Sequence, residues 1–173
     1  MKKEINSLLK IRAAALAAEP EIKQKTSAKT EVIEFTLSTE SYGIESAFVR
    51  EVYPLKDFTS LPGVPLFILG IINIRGQIFP IVDLKKFFNL PAKGLGELNK
   101  VIILHDEEME FGILADEVNG TKEIYQEDVL PVPSSITGIS EKYLKGITKE
   151  RLILLSAENL LADKNIIVNE EVT

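Results

Sequence analysis

The chain has 173 residues, no cysteine, and 26 acidic against 20 basic side chains, for a formal charge of −6. The missing thiols exclude a disulfide framework, thiolate metal sites and cysteine nucleophiles, while the acidic balance repels phosphate backbones and anionic lipid surfaces. A chain of this length forms one ordinary domain or two small barrels sharing a core, burying roughly 70% of its unfolded surface without a cofactor.

Residues 5–19 favour helix: Ile5, Leu8, Leu9, Ala15 and Leu16 recur at helical spacing and Pro20 blocks continuation. Lys2, Lys3 and the alanine cluster imitate a signal peptide, but Lys10 and Arg12 interrupt the apolar region that export needs. The polar stretch 21–30 reads as a linker, so the folded domain is expected to begin near Glu31.

From there short strands are separated by Gly, Pro, Ser and charged turns, the texture of an all-β barrel or sandwich. Strands are predicted at 32–38, 42–45, 49–54, 68–74, 78–84, 101–105, 110–118 and 152–155. The poorly alternating FGILADEV segment, 111–118, implies a strand covered on both faces. Pro62, Gly63 and Pro65 forbid a regular strand and predict a fixed loop beside the hairpin that follows.

That hairpin, ILGIINIRGQIFPIVDL at 68–84, is the most informative stretch. Two runs rich in Ile, Val and Phe flank a polar knot of Asn73, Arg75, Gly76 and Gln77, with Gly76 free to supply positive φ, so Arg75 is expected at a hairpin tip. An arginine there is either a structural partner of a loop carboxylate or an interface anchor, since a planar guanidinium makes several hydrogen bonds at once. Gly70 is either a strand glycine permitting a bulge or a place where another backbone approaches. Two short helices follow similar strands. Leu84, Phe87 and Phe88 share a face after Asp83, and Ala157, Leu160 and Leu161 do so after Ser156, both good N-cap residues. This hints at a worn duplication, one unit per half.

No residue is assigned a catalytic, cofactor-binding or metal-binding role. His105 is the only histidine, and it precedes Asp106, Glu107 and Glu108, an acidic run that reads as a solvated turn. Gly94 and Gly96 lack the third glycine and following helix of a phosphate cradle. The longest apolar stretch, 66–72, falls far short of the ~20 residues of a membrane-spanning helix, so direct membrane insertion is not expected.

The hairpin block resembles the CheW family of chemotaxis coupling proteins, in which an Asn-x-Arg-Gly turn leads into a strand closing with Pro-x-x-Asp-Leu, matched by Asn73, Arg75, Gly76, Pro80, Asp83 and Leu84. FTLSTESYGIESAFVREV resembles the family's opening hairpin, FGILADEV its middle strand, and YLKGITKERLILLSAENLL its closing segment. Ser156 and Ala157 depart from the acidic pair often found there, and the N-terminal helix is longer than in the simplest members.

The resemblance implies a mainly β fold of two five-stranded SH3-like barrels packed together, with the N-terminal helix at 1–20, the linker at 21–30, the CheW-like domain at 31–168 and a tail at 169–173. It implies a non-enzymatic cytoplasmic adaptor, recruited to receptor arrays at the inner face of the membrane. Its partners would be the regulatory domain of a CheA-type histidine kinase and the cytoplasmic tip of a methyl-accepting chemoreceptor, with no nucleic acid. The partner-binding residues would be Val49, Glu51, Gly70, Asn73, Arg75, Gly76 and Asp83. The rivals are a small regulatory phosphatase of the same pathway, which would need a metal or an Asn/Glu pair on a helix, and a β-barrel nucleic-acid binder.

Overall fold

The computed structural model describes residues 28–92, 94–132 and 138–166. The helix expected at 5–19, most of the expected linker and the tail from residue 169 lie outside the described residues. The strands, in chain order, are β1 (Lys29–Leu37), β2 (Glu40–Glu45), β3 (Val49–Pro54), β4 (Ile68–Ile74), β5 (Gln77–Val82), β6 (Lys100–His105), β7 (Glu110–Ala115), β8 (Glu117–Tyr125), β9 (Leu144–Ile147) and β10 (Ile153–Leu155). Two short helices, α1 (Leu84–Phe87) and α2 (Ala157–Leu161), follow β5 and β10.

Each helix starts where the sequence places its cap. The Asp83 carboxylate accepts the Lys85 amide at 3.0 Å, and the Ser156 hydroxyl accepts the Asn159 amide at 3.2 Å. Both satisfy N–H groups that the first turn leaves without a helical partner.

The strands form two five-stranded sheets, β8-β1-β2-β10-β9 and β3-β6-β7-β5-β4. Across each sheet in that order the pairings run antiparallel, antiparallel, parallel, antiparallel. One sheet is continuous in sequence from β3 to β7. The other takes β8, β9 and β10 and then β1 and β2, so it is the same unit closed through the two ends of the described chain. The duplication hinted at by the two helices is therefore a duplication of the whole strand pattern.

Where closed barrels were expected there are two five-stranded sheets that do not close by a strand ladder: the segment after β3 meets β4 at the single bridge Thr59–Ile71, and the segment after β8 meets β9 at Leu130–Ile147. A longer closing ladder is opposed by the prolines beside those bridges, Pro62 and Pro65 in one segment and Pro131 in the other, which have no N–H to donate.

The core has three parts. The largest lies between the sheets and includes Phe35, Tyr42 and Ile44 from one, Ile102, Leu104 and Phe111 from the other, with Leu160 and Leu161 of α2. Ile72, Ile74, Phe79, Ile81, Val101, Ile103 and Leu114 fill the concave side of the β3–β7 sheet, and Val32, Ile124, Leu152 and Leu154 fill that of its counterpart. Strand β6 explains its unbroken apolar run: Val101 and Ile103 enter the sheet's own interior, while Ile102 and Leu104 enter the core between the sheets. Each such side chain contributes roughly 1.5–3 kcal/mol on full burial.

Most expected boundaries shift by a residue or two, and three of the changes have a clear cause. Strand β1 starts at Lys29, since Lys29 and Thr30 pair with Tyr125 and Ile124. The strand predicted at 78–84 ends at Val82, because Asp83 turns to cap α1. The single strand predicted at 110–118 is two strands broken at Asp116, where the chain leaves one sheet for the other and the Asp116 amide donates to the Thr36 carbonyl at 3.0 Å.

Candidate functional site

Ile74 pairs with Gln77, leaving Arg75 and Gly76 as a two-residue loop with φ of 52° and 84°. Positive φ at both central positions is the requirement of a type I′ hairpin, whose twist matches the flanking strands. The Asn73 side-chain oxygen accepts the Gly76 amide at 2.9 Å and so fixes the turn from inside.

Arg75 is carried at the tip with its side chain 75% exposed, and its Nη2 lies 3.2 Å from Oε2 of the half-buried Glu51 on β3. An ion pair this open to water contributes ~0.2–1 kcal/mol to stability. Its larger effect is to limit where the guanidinium points. The apolar runs that flank Arg75 in sequence do not cover it in the free chain, and Ile78, opposite Asn73, is itself 60% exposed.

Glu51 reaches the tip because β3 carries a bulge. Val49 pairs with Leu104 and Glu51 with Ile103, so Arg50 is the extra residue. Arg50 forms a second pair, its Nη1 2.8 Å from Oε1 of Glu110, while the Gln77 amide donates to the other Glu110 oxygen at 3.0 Å. The Arg50 guanidinium also stands 5.8 Å from the Phe79 ring centroid. Sequence reasoning left Arg50, Gln77, Phe79 and Glu110 out of the site. Arg50 was legible only as a solvated strand residue, since a bulge leaves no periodic signal.

The seven residues singled out from sequence thus divide. Glu51, Asn73, Arg75 and Gly76 come together at the hairpin tip. Val49 packs against the core between the sheets. Gly70 and Asp83 lie inside the fold, where they cannot meet a partner directly. A Cβ on Gly70 would stand 2.2 Å from the Thr59 carbonyl oxygen, so the backbone that approaches it is the chain's own. Asp83 is 5% exposed and its amide donates to the Phe67 carbonyl at 2.7 Å. The proline-rich loop 61–65 lies beside the hairpin, where the Ile68 amide donates to the Pro65 carbonyl at 3.0 Å. It ends at the open end of the hairpin, where Ile68 pairs with Val82 and Phe67 packs on Phe87, away from the Arg75 tip.

The second sheet has a matching tip. Arg151 has a φ of 66° in the turn between β9 and β10, and Lys122 of β8 forms an ion pair with Glu150 of that turn. Both sheets therefore hold a hairpin tip to an outer strand by a charge pair, with the signs reversed. The run after His105 is a turn: Asp106 Oδ1 accepts the amides of Glu108 and Met109 at 2.8 and 2.7 Å. Among the described residues no group of three or more acidic or histidine side chains is arranged to hold a metal. What the hairpin surface offers is a mixed polar and apolar face with a fixed guanidinium, suited to protein recognition.

Comparison with known proteins agrees with this description. The family model described as CheW-like domain matches residues 31–165. The chain is 32% identical over 143 residues to the chemotaxis protein CheW of Treponema pallidum, covering 79% of this chain and 84% of that one. It is 31% identical over 145 residues to the chemotaxis protein CheW of Klebsiella aerogenes, covering 82% and 87%. The crystal structure of scaffolding protein TtCheW from Thermoanaerobacter tengcongensis is similar with a TM-score of 0.67 and 29% identity, over 77% of this chain and 88% of that one.

Proposed function

The chain belongs to the CheW family, and on that premise we propose that it couples methyl-accepting chemoreceptors to a CheA-type histidine kinase. It is a chemotaxis adaptor and a scaffold, not an enzyme. The reading as a regulatory phosphatase finds no support among its relatives.

The kinase's regulatory domain is the partner assigned to the Arg75 tip. The observation that carries this is a guanidinium 75% exposed yet aimed by Glu51, on a non-glycine residue held at a φ of 52°. Backbone strain of that kind persists where the surrounding structure imposes it, and it clusters at functional sites. Asn73 and Gly76 form the turn that presents Arg75, while Gly70 and Asp83 support the strands behind it. Val49, beside the core between the sheets, is assigned to the receptor tip. Each sheet is read as an SH3-like barrel, supported by the bridges Thr59–Ile71 and Leu130–Ile147 and by the two ion pairs across the open seams.

No described helix is long and apolar enough to cross a membrane. The protein works in the cytoplasm and is recruited to receptor arrays by its partners. Reconstitution tests the function: kinase autophosphorylation is measured with receptor-containing membranes, with and without the purified chain. The adaptor reading requires receptor-dependent activity that rises with added chain, and activity indifferent to it rejects the reading.

A further inference from the structure

Lys85 is 1% exposed, the only buried lysine or arginine among the described residues, and its Nζ is paired with Oδ1 of Asp116. The other carboxylate oxygen of Asp116 accepts the Ser38 amide at 2.8 Å, and the Asp116 amide donates to Thr36. Lys85 belongs to α1, which continues from β5 of one sheet. Ser38 and Thr36 belong to the β1–β2 hairpin of the other, where Ser38 has a φ of 59°. Asp116 is the residue at which the chain crosses between them. One carboxylate thus grips both sheets.

The duplicated architecture indicates what the pair is for. Gly112 pairs with Ile81 as Gly43 pairs with Leu154, and the caps Asp83 and Ser156 follow two residues after those partners. By this register Lys85 corresponds to Glu158 and Asp116 to Ala47, and both counterparts are exposed. The unit therefore folds once in this same molecule without such a pair at these places. The pair is no requirement of the unit: the chain crosses between the sheets twice, at residues 46–48 and at Asp116, and the pair occurs at the second crossing alone.

Resting on the adaptor reading, we propose that Lys85 and Asp116 are positioning residues that fix the angle between the two sheets, and with it how the sheet that carries Val49 and Arg75 is set against the other. The Lys85 side chain is 2% exposed and that of Asp116 21%; replacing so enclosed an ion pair by neutral groups of similar volume is often neutral or stabilising, so stability alone gives little reason to keep one. A charge pair with hydrogen bonds of fixed direction instead disfavours the alternative packings that an apolar junction tolerates.

The test is Lys85→Met/Asp116→Asn, which removes both charges while leaving an oxygen to accept the Ser38 amide. Residual dipolar couplings report the relative orientation of the sheets, thermal unfolding reports stability, and calorimetric titration with the purified kinase regulatory domain reports affinity. The proposal requires an unchanged or raised melting temperature and a changed or broadened orientation between sheets that each keep their own couplings. An unchanged orientation overturns it, whatever happens to stability. If the double variant does not fold, Lys85→Gln/Asp116→Asn, which also removes both charges, is read the same way, and failure of both to fold overturns positioning in favour of stability. A shifted orientation in a chain whose wild type does not bind the kinase domain would reject the adaptor reading and leave the positioning role standing.

Discussion

Gly70 and Gly146 occupy the same place in the two halves of the molecule. Their φ values are 154° and 155°, and a Cβ on either would stand within 2.6 Å of a carbonyl oxygen, that of Thr59 in one sheet and of Leu130 in the other. Each glycine lets the segment after an outer strand fold back onto the next strand at the bridge that draws the sheet's edges together.

Gly70→Ala and Gly146→Ala are each expected to cost more than ~2 kcal/mol, because the clash is with backbone and the φ is unfavourable for any L-residue. Gly76→Ala, at a φ of 84° with no atom within 4 Å of its Cβ position, should cost only about 1–2 kcal/mol. Urea unfolding of the three variants gives the order directly.

Removing residues 1–27 is expected to leave the melting temperature nearly unchanged, since the sequence ahead of β1 is a polar stretch preceded by a weakly apolar stripe. Extending the deletion through Thr30 removes the pairs Lys29–Tyr125 and Thr30–Ile124 and should lower it. Scanning calorimetry of the two truncations makes the comparison.

The Asp163 carboxyl is pushed up by burial, but hydrogen bonds from the Tyr143 hydroxyl, the Asn165 amide and Lys142 outweigh this and hold it below the ordinary value. A carboxyl that titrates lower folded than unfolded stabilises fully above its unfolded value, about pH 4, and loses that stabilisation as pH falls through the folded value. Asp163→Asn should therefore be less stable than wild type at neutral pH, with the gap closing below about pH 4. Unfolding free energies measured from pH 7 to pH 2.5 provide the curve.

Arg75→Asn places Asn-Gly, the favoured pair for a type I′ loop, where an arginine now holds a φ of 52°. It should raise stability by about 0.5–1 kcal/mol, since asparagine tolerates this region better than other L-residues. It should also weaken kinase binding. Unfolding and titration of this one variant separate the two effects, which a structural arginine would lose together.

The legible parts of the fold were those where each residue's own chemistry fixes its place. The Arg75 turn follows from Gly76, the helices from their caps and apolar faces, and β6 from an apolar run that only a strand covered on both sides explains. Strand β8 was hidden because an outer strand has one face in water, and of its nine residues only Ile124 is buried. Strand β9 was hidden because four residues including a lysine and a glycine carry no period. The parallel pairing of β10 with β2 joins residues more than a hundred positions apart, which no local signal records. At the junction of the sheets, Lys85 and Lys86 are indistinguishable in sequence, yet one is buried against Asp116 and the other is exposed. That difference depends on where the second sheet lies.

The most direct measurement is the affinity of Arg75→Ala for the kinase regulatory domain, taken with its melting temperature. Arg75 is already an L-residue at positive φ and its ion pair is open to water, so alanine should leave stability within ~1 kcal/mol of wild type. Affinity should fall by roughly 2 kcal/mol, about thirtyfold, and Arg75→Lys should recover little because a point charge lacks the guanidinium fork. Lys122→Ala, which opens the corresponding ion pair on the other sheet, should change affinity far less. Normal binding by an Arg75→Ala protein that has lost much of its stability would make this arginine structural and contradict the assignment of the hairpin tip to the kinase.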